Sequence, residues 1–178
     1  GALAALGLTF HTASGDFVPD PIPVHWPQIA RIAGRVSPRL PPIAIACDVT
    51  NPLLGPRGAA AVYGPQKGLR VGDHARLEAE SERLADLLCR HDGGSPEIKS
   101  IPGTGAAGGI TFGLMVAAKA RLLPGFAFVS AWLDLEAKLA AADLVITGEG
   151  RFDESSLEGK GPGAVAARAL ALGKRVHV

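Results

Sequence analysis

The chain has 178 residues, of which 47% are hydrophobic and 20% are charged, a composition near the globular average. Its length predicts one domain, or one domain and a fragment of another. The 18 basic and 17 acidic residues give a formal net charge of +1. This balance excludes a long-range basic field that would recruit nucleic acid or an anionic membrane. The 23 glycines and 14 prolines stay below the roughly 25–30% share that is typical of disorder.

Helical and strand patterns alternate along the chain. Predicted helices cover residues 1–7, 28–32, 73–90, 110–122, 133–141 and 162–172. For the helix at residues 73–90, Asp73 is the expected cap and Gly93 is expected to end it. Predicted strands cover residues 8–12, 43–47, 97–101, 126–130, 143–147 and 176–178. This alternation predicts the α/β class with a largely parallel sheet. The chain opens in a helical pattern and closes in a strand pattern, so we expect it to be an internal piece of a longer protein.

An uncharged run of 18 residues, Ile101–Ala118, has the length of a membrane span. Its proline and five glycines argue against a transmembrane helix, because they interrupt regular backbone hydrogen bonding. The cysteines Cys47 and Cys89 show neither metal-ligand spacing nor a disulfide framework. We therefore expect reduced thiols in a cytoplasmic protein.

Three loops follow predicted strands and carry both glycine and charge, and ligands of α/β sheets bind beyond such strand ends. The first loop contains Asp48, Asn51 and Arg57. A carboxylate at this place can hold Mg²⁺ or a substrate hydroxyl, and the arginine can meet an anion. The alternative is a plain turn in which Asp48 caps backbone amides.

The second loop matches the pattern G-x-G-x-x-G through Gly103, Gly105 and Gly108, with Gly109 next. Glycines free backbone amides to face a phosphate at the start of a helix. As a dinucleotide fingerprint the match is weak, because Pro102 interrupts the turn and no acidic residue lies about 20 positions on. We therefore interpret it as a general anion cradle, with close helix–strand packing as the alternative.

The third loop gathers Glu149, Arg151, Asp153 and Lys160 after the strongest predicted strand. Phosphoryl transfer uses carboxylates for Mg²⁺ and cations for the phosphates. The P-loop pattern G-x-x-x-x-G-K-[ST] is absent. A solvated charged loop is the alternative.

Together, and in this order, the loops resemble the bacterial glycerate kinase family. The matching strings are Ala46–Ala59, Tyr63–Gly68, Pro102–Gly109 and Leu144–Asp153, with Gly159-Lys160 behind them. The resemblance covers nearly the whole chain except residues 19–42. It implies a glycerate kinase-like α/β fold with a mixed sheet. Residues 1–141 would form the middle, substrate-side domain, and residues 142–178 would be a partial segment of a Rossmann-like or flavodoxin-like domain.

The resemblance also implies an enzyme that moves the γ-phosphoryl group of ATP to D-glycerate with Mg²⁺, although this chain alone lacks about half of the family's length. We hypothesise that the catalytic residues are Glu149, Arg151, Asp153 and Lys160, and that the carboxylates of Glu149 and Asp153 are the metal ligands. The predicted substrate-binding residues are Asp48, Asn51, Arg57, Lys67, Gly103, Gly105, Gly108 and Gly109.

Several questions stay open at this point. The sequence does not say which loop meets ATP, which hydroxyl is phosphorylated, or whether the protein is a homodimer. A non-catalytic module that binds an anion or nucleotide is the main alternative function. A nucleotide-dependent oxidoreductase is disfavoured, because the acidic partner of the glycine pattern is missing.

Overall fold

The computed structural model describes residues 1–150 and 161–178. The described residues form seven α-helices: α1 (Ala2–Ala5), α2 (Ala59–Tyr63), α3 (His74–Asp92), α4 (Ile110–Ala117), α5 (Gly125–Trp132), α6 (Leu135–Ala141) and α7 (Gly161–Ala171). They also form six strands: β1 (Leu8–His11), β2 (Arg31–Gly34), β3 (Ala44–Cys47), β4 (Arg121–Pro124), β5 (Leu144–Ile146) and β6 (Arg175–His177).

The strands of the described chain pair two by two. Strand β1 runs antiparallel to β2, with Leu8 opposite Gly34. Strand β3 pairs with β4. Strand β5 runs parallel to β6, with Val145 opposite Val176. The prediction of an α/β fold with mixed strand directions is confirmed, and the strands lie in three separate pairs.

The chain divides into two compact units. The larger unit comprises residues 1–45 and 49–122, and the smaller unit comprises residues 46–48 and 123–178. The core of the larger unit is formed by Leu8, Phe10, Val18, Ile29, Ile32, Leu53, Ala85, Leu88, Cys89, Phe112 and Val116. The core of the smaller unit is formed by Leu139, Val145 and Ala169. The predicted boundary after residue 141 falls inside the smaller unit, and the assignment of domains in a longer protein stays a prediction.

Helix α3 is the longest helix in the described chain and follows the predicted range closely. It ends as predicted at Gly93, which adopts a left-handed conformation with φ of 69°. The expected cap at its start is absent, because the side chain of Asp73 accepts no backbone amide. That carboxylate instead pairs with Arg76 at 3.1 Å.

The predicted strand at residues 97–101 is wrong, since Pro96–Ser100 forms a 3₁₀ helix. Pro96 occupies its first turn, where a missing amide costs nothing. The hydroxyl of Ser95 accepts the Glu97 amide at 3.3 Å and caps this turn. These local signals outweigh the short apolar pattern that suggested a strand.

The predicted strand at residues 126–130 is also wrong, because these residues belong to α5. The strand lies just before it, at β4, in the segment for which the apolar pattern predicted the end of a helix. Periodicity alone cannot separate a short buried helix from a strand. The amide of Phe126 donates to Asp48 Oδ1 at 2.9 Å, and this contact from a distant part of the sequence stabilises the first turn of α5.

The short helix expected at residues 28–32 is displaced as well. A 3₁₀ helix occupies Trp26–Gln28, and β2 follows it directly. Pairing with β1 places Ile32 opposite Phe10, and both side chains are buried. Cross-strand packing therefore decides the conformation of this segment.

In the described part of the chain, no helix is both long and apolar enough to cross a membrane. The uncharged run at residues 101–118 is divided between turns, a 3₁₀ helix at Ala106–Gly108 and the eight residues of α4. Its glycines and proline therefore interrupt the run as predicted.

Candidate active site

The glycine loop, residues 103–109, leads into α4 and is anchored by a buried threonine. Thr104 has no exposed surface, and its hydroxyl donates to the carbonyl oxygen of Ile101 at 2.7 Å. The next turn is left-handed at Ala107, Gly108 and Gly109, with φ of 52°, 86° and 96°. A buried hydrogen-bonded hydroxyl and three successive left-handed residues fix the course of this loop.

The glycine loop packs directly on residues 51–53. The amides of Gly103 and Gly105 both donate to the carbonyl oxygen of Asn51, at 3.1 and 2.9 Å. A Cβ atom at Gly105 would lie 2.1 Å from the carbonyl oxygen of Pro52. These two glycine amides therefore bind the protein itself, and close packing, one of the two interpretations of the glycine pattern, accounts for Gly105.

The other end of the loop faces a cation. Lys67 ends the 3₁₀ helix Pro65–Lys67, and its Nζ would lie 3.6 Å from a Cβ atom at Gly108. The side chain of Lys67 is exposed. At the first turn of α4, the amides of Ile110 and Thr111 have no hydrogen-bond acceptor among the described residues. An ammonium group and unpaired helix amides on one loop favour an anionic ligand.

Asn51 connects the two loops of the larger unit. Its Nδ2 donates to the carbonyl oxygen of Arg57 at 2.9 Å. Its Oδ1 accepts the hydroxyl of Tyr63 at 2.8 Å. The side-chain amide is thus bound on both sides, and its backbone carbonyl holds the glycine loop. The Arg57 guanidinium is exposed and donates to Thr50 Oγ1 at 3.3 Å.

Two residues that the sequence analysis did not single out take part in this arrangement. Tyr63 lies in one of the strings that carry the family resemblance, but only the structure shows its contact with Asn51. Glu78 of α3 accepts the amide of Gly55 at 2.5 Å. Glu78 lies seven residues before Ala85, which is two helical turns. This spacing places Glu78 on the same face of α3 as the buried Ala85.

Asp48 belongs to the smaller unit and is exposed. Its Oδ1 accepts the Phe126 amide, and its Oδ2 would lie 2.8 Å from a Cβ atom at Gly125. The carboxylate thus caps the first turn of α5. Amide capping was the alternative to substrate binding at this position, although the amide belongs to a helix distant in sequence rather than to a local turn.

Glu149 is exposed in the loop after β5, at the carboxyl end of that strand. The other three predicted catalytic residues, Arg151, Asp153 and Lys160, lie outside the described residues. Among the described residues, no group of three or more His, Cys, Asp or Glu side chains could hold a metal. Proteins commonly bind Mg²⁺ through one or two carboxylates together with substrate phosphates, and an exposed Glu149 fits that mode.

Comparisons with known proteins show to which family the chain belongs. The model of the glycerate kinase family matches residues 1–178. A glycerate kinase from Halalkalibacterium halodurans is 41% identical over 149 residues, which cover 82% of this chain and 39% of that protein. A glycerate 2-kinase from Escherichia coli K12 is 41% identical over 126 residues, which cover 70% of this chain and 32% of that protein.

A crystal structure assigned as glycerate kinase 2 from Salmonella typhimurium LT2 is also similar, with a TM-score of 0.77 and 40% identity. The match covers 99% of this chain and 47% of that one. The chain therefore spans less than half the length of each of these relatives. The fold and the matches place the chain among the α/β proteins. Within that class, the chain belongs to the glycerate kinase family.

Proposed function

We propose that the protein containing these residues is a glycerate kinase that transfers the γ-phosphoryl group of ATP to D-glycerate with Mg²⁺. Membership of the family supports the reaction class. The observation that carries the proposal is the ammonium group of Lys67 beside Gly108, at the start of α4. Both proposed substrates are anions, and this is the part of the described site that favours an anion.

The proposed role of Lys67 and the α4 amides is to bind a carboxylate or a phosphate and to neutralise its charge. Donors that are already oriented stabilise charge in the transition state without reorganisation. Gly105 lets the loop approach residues 51–53, and Gly108 leaves room for the lysine. Asn51 positions the loops of the site through its hydrogen bonds to Arg57, Tyr63 and the glycine loop. The exposed guanidinium of Arg57 would be a second cationic group that binds the anion.

The remaining residues of the proposal follow β5 in the sequence. Glu149, together with Asp153, would hold Mg²⁺, which neutralises charge on the phosphates when bound. Arg151 and Lys160 would neutralise the transferred phosphoryl group. Cys47 and Cys89 form no disulfide in the described part of the chain, and a reducing, cytoplasmic setting is part of the proposal.

A non-catalytic anion-binding module is the second candidate for the chain by itself. It is favoured by the length of the match, since the relatives are more than twice as long as the matched segment. In this case the Lys67 side of the glycine loop would bind an anion without phosphoryl transfer.

A coupled ADP-release assay with Mg²⁺-ATP and D-glycerate distinguishes the two candidates. It is performed on this chain and on the complete protein that contains it. Turnover by the complete protein that requires D-glycerate supports the kinase, whether or not the chain alone is active. Absence of turnover in both, with retained binding of ATP or phosphate, contradicts the kinase and favours the binding module.

A further inference from the structure

Glu78 occupies an unusual place for a carboxylate. On α3, residues 78, 81, 85 and 88 recur at helical spacing on one face, and Ala85 and Leu88 of this stripe are buried. Acidic side chains are rarely placed on a buried stripe unless they have a specific partner. The partner of Glu78 therefore indicates what this residue does.

That partner is a backbone amide 23 residues earlier in the chain. The Glu78 Oε1 atom accepts the amide of Gly55 at 2.5 Å, and a carboxylate acceptor makes such a hydrogen bond charge-assisted. The Oε2 atom is buried and has no hydrogen-bond partner among the described residues. The carboxylate is thus directed at the loop of residues 52–58.

Three cations on or beside α3 pair with other acids. Described ion pairs join Arg76 to Asp73, Arg83 to Glu80, and Lys99 to Asp86 and Glu82. Among the described residues, Glu78 therefore has no salt-bridge partner, and its carboxylate contacts a loop amide instead. This pattern favours positioning of the loop over stabilisation of the helix surface.

The loop that Glu78 holds is in contact with the glycine loop. Gly55 has φ of 91° and accepts the Gly58 amide at 2.8 Å, which closes a tight turn. At the base of the turn, the Ala59 amide donates to Leu53 at 3.0 Å. The side chain of Leu53 fills the space that a Cβ atom at Gly109 would need, 2.7 Å away. A shift of Gly55 would therefore reach the glycine loop through Leu53.

We propose that Glu78 is a positioning residue for the kinase site. By holding Gly55, it keeps Leu53 and Asn51 against the glycine loop, so that Gly108 stays next to Lys67. Glu78 itself contacts neither substrate in this proposal. This role rests on the proposed function, because the site being positioned is the proposed anion site.

The test uses the complete protein with E78A, E78Q and, as a matched control, E82A. Glu82 lies one turn further along α3 and its side chain is 60% exposed. We expect E78A to lower kcat/KM by up to about 10²-fold, mostly through a higher KM, because small displacements of a site have effects of this size. E78Q should recover most of the loss, since its amide oxygen still accepts from Gly55 through a weaker neutral bond.

A purely structural role would lower the folded fraction and leave KM unchanged, so unfolding midpoints are measured beside the kinetics. An unchanged KM in E78A, or a change equal to that of E82A, overturns the proposal. If E78A does not fold, E78D replaces it, because the shorter side chain withdraws the carboxylate from Gly55.

Amide hydrogen exchange separates a failure of this inference from a failure of the proposed function. If the wild-type protein shows no kinase turnover, the proposed function fails, but the positioning role can still be measured. Faster exchange of the Gly55 amide and the glycine loop in E78A, but not in E78Q or E82A, supports the role. Unchanged exchange in E78A overturns it.

Discussion

The two compact units differ in the size of their buried apolar cores. In the larger unit, Thr104 is fully buried and hydrogen-bonded, and Phe112 packs in a core drawn from helices and strands. In the smaller unit, Trp132 is 78% exposed and Ile146 is 74% exposed. Among the described residues, eleven buried side chains form the core of the larger unit and three form the core of the smaller unit. Removing a core side chain of the larger unit should therefore cost more stability than removing an exposed aromatic side chain of the smaller unit.

Truncating one aromatic side chain in each unit gives the largest contrast in stability. Phe112→Ala should lower the free energy of unfolding by about 3–5 kcal/mol, because it removes a buried ring and leaves a cavity. Trp132→Ala should change it by less than about 0.5 kcal/mol, as for exposed positions. Urea unfolding of the chain measures both. A loss at Trp132 equal to that at Phe112 would show that the two units do not differ in this way.

Adding a methyl group to the glycine loop should cause the next largest loss of stability. Gly105→Ala places a Cβ atom against the Pro52 carbonyl, and the overpacking should cost about 1–3 kcal/mol. Gly72→Ala is the matched control, because a Cβ atom there meets nothing within 4 Å. Thermal unfolding of both variants gives the comparison. Equal midpoints for the two variants would mean that the loop does not pack closely on residues 51–53.

The hydrogen bonds of Asn51 sharpen the description of the larger unit. Tyr63→Phe should cost about 0.5–1.5 kcal/mol, since it removes one hydrogen bond to Asn51. Asn51→Ala should cost more, because it also leaves the Arg57 carbonyl without the Asn51 amide. The double variant should cost less than the sum of the two. Strict additivity in urea unfolding would indicate that the two side chains do not interact.

The smallest expected effect is on how the free energy of unfolding depends on pH. Burial raises the pKa of the Cys89 thiol above its ordinary value of 9.0, and the nearby charge of Asp86 raises it further. The unfolded chain therefore loses this proton at lower pH than the folded chain does. The resulting contribution to stability is complete below about pH 9 and is lost as the pH rises further. Unfolding free energies from pH 7.5 to 10.5 should fall less steeply for Cys89→Ala, and parallel curves would contradict the prediction.

The sequence predicted an element correctly where the residues of that element themselves carry the pattern or the stop signal. The long amphipathic pattern and Gly93 predicted α3 and its end, and the alternation of elements predicted the α/β class. The prediction failed at residues 126–130, where an apolar run of ambiguous period becomes helical with its first turn capped by Asp48, 78 residues earlier. It also failed at residues 28–32, where pairing with β1 determines the conformation.

The same distinction applies to the candidate site. Glycine spacing pointed to the loop at residues 103–109, but it could not show which amides are already bound. The structure shows that Gly103 and Gly105 donate to Asn51, and that Gly108 is the glycine beside Lys67. The contact between Glu78 and Gly55 spans 23 residues of sequence, and the sequence analysis did not predict it because no local pattern links the two residues.

The central claim is that Lys67 and the glycine loop form an anion site of a kinase. The most direct measurement compares Lys67→Ala with Lys138→Ala, an exposed lysine on α6, in the ADP-release assay on the complete protein. We expect Lys67→Ala to lower turnover by about 10²–10³-fold, the usual effect of removing one preorganised donor, while Lys138→Ala retains the wild-type rate. Near-complete activity of Lys67→Ala, or equal losses in both variants, would contradict the account.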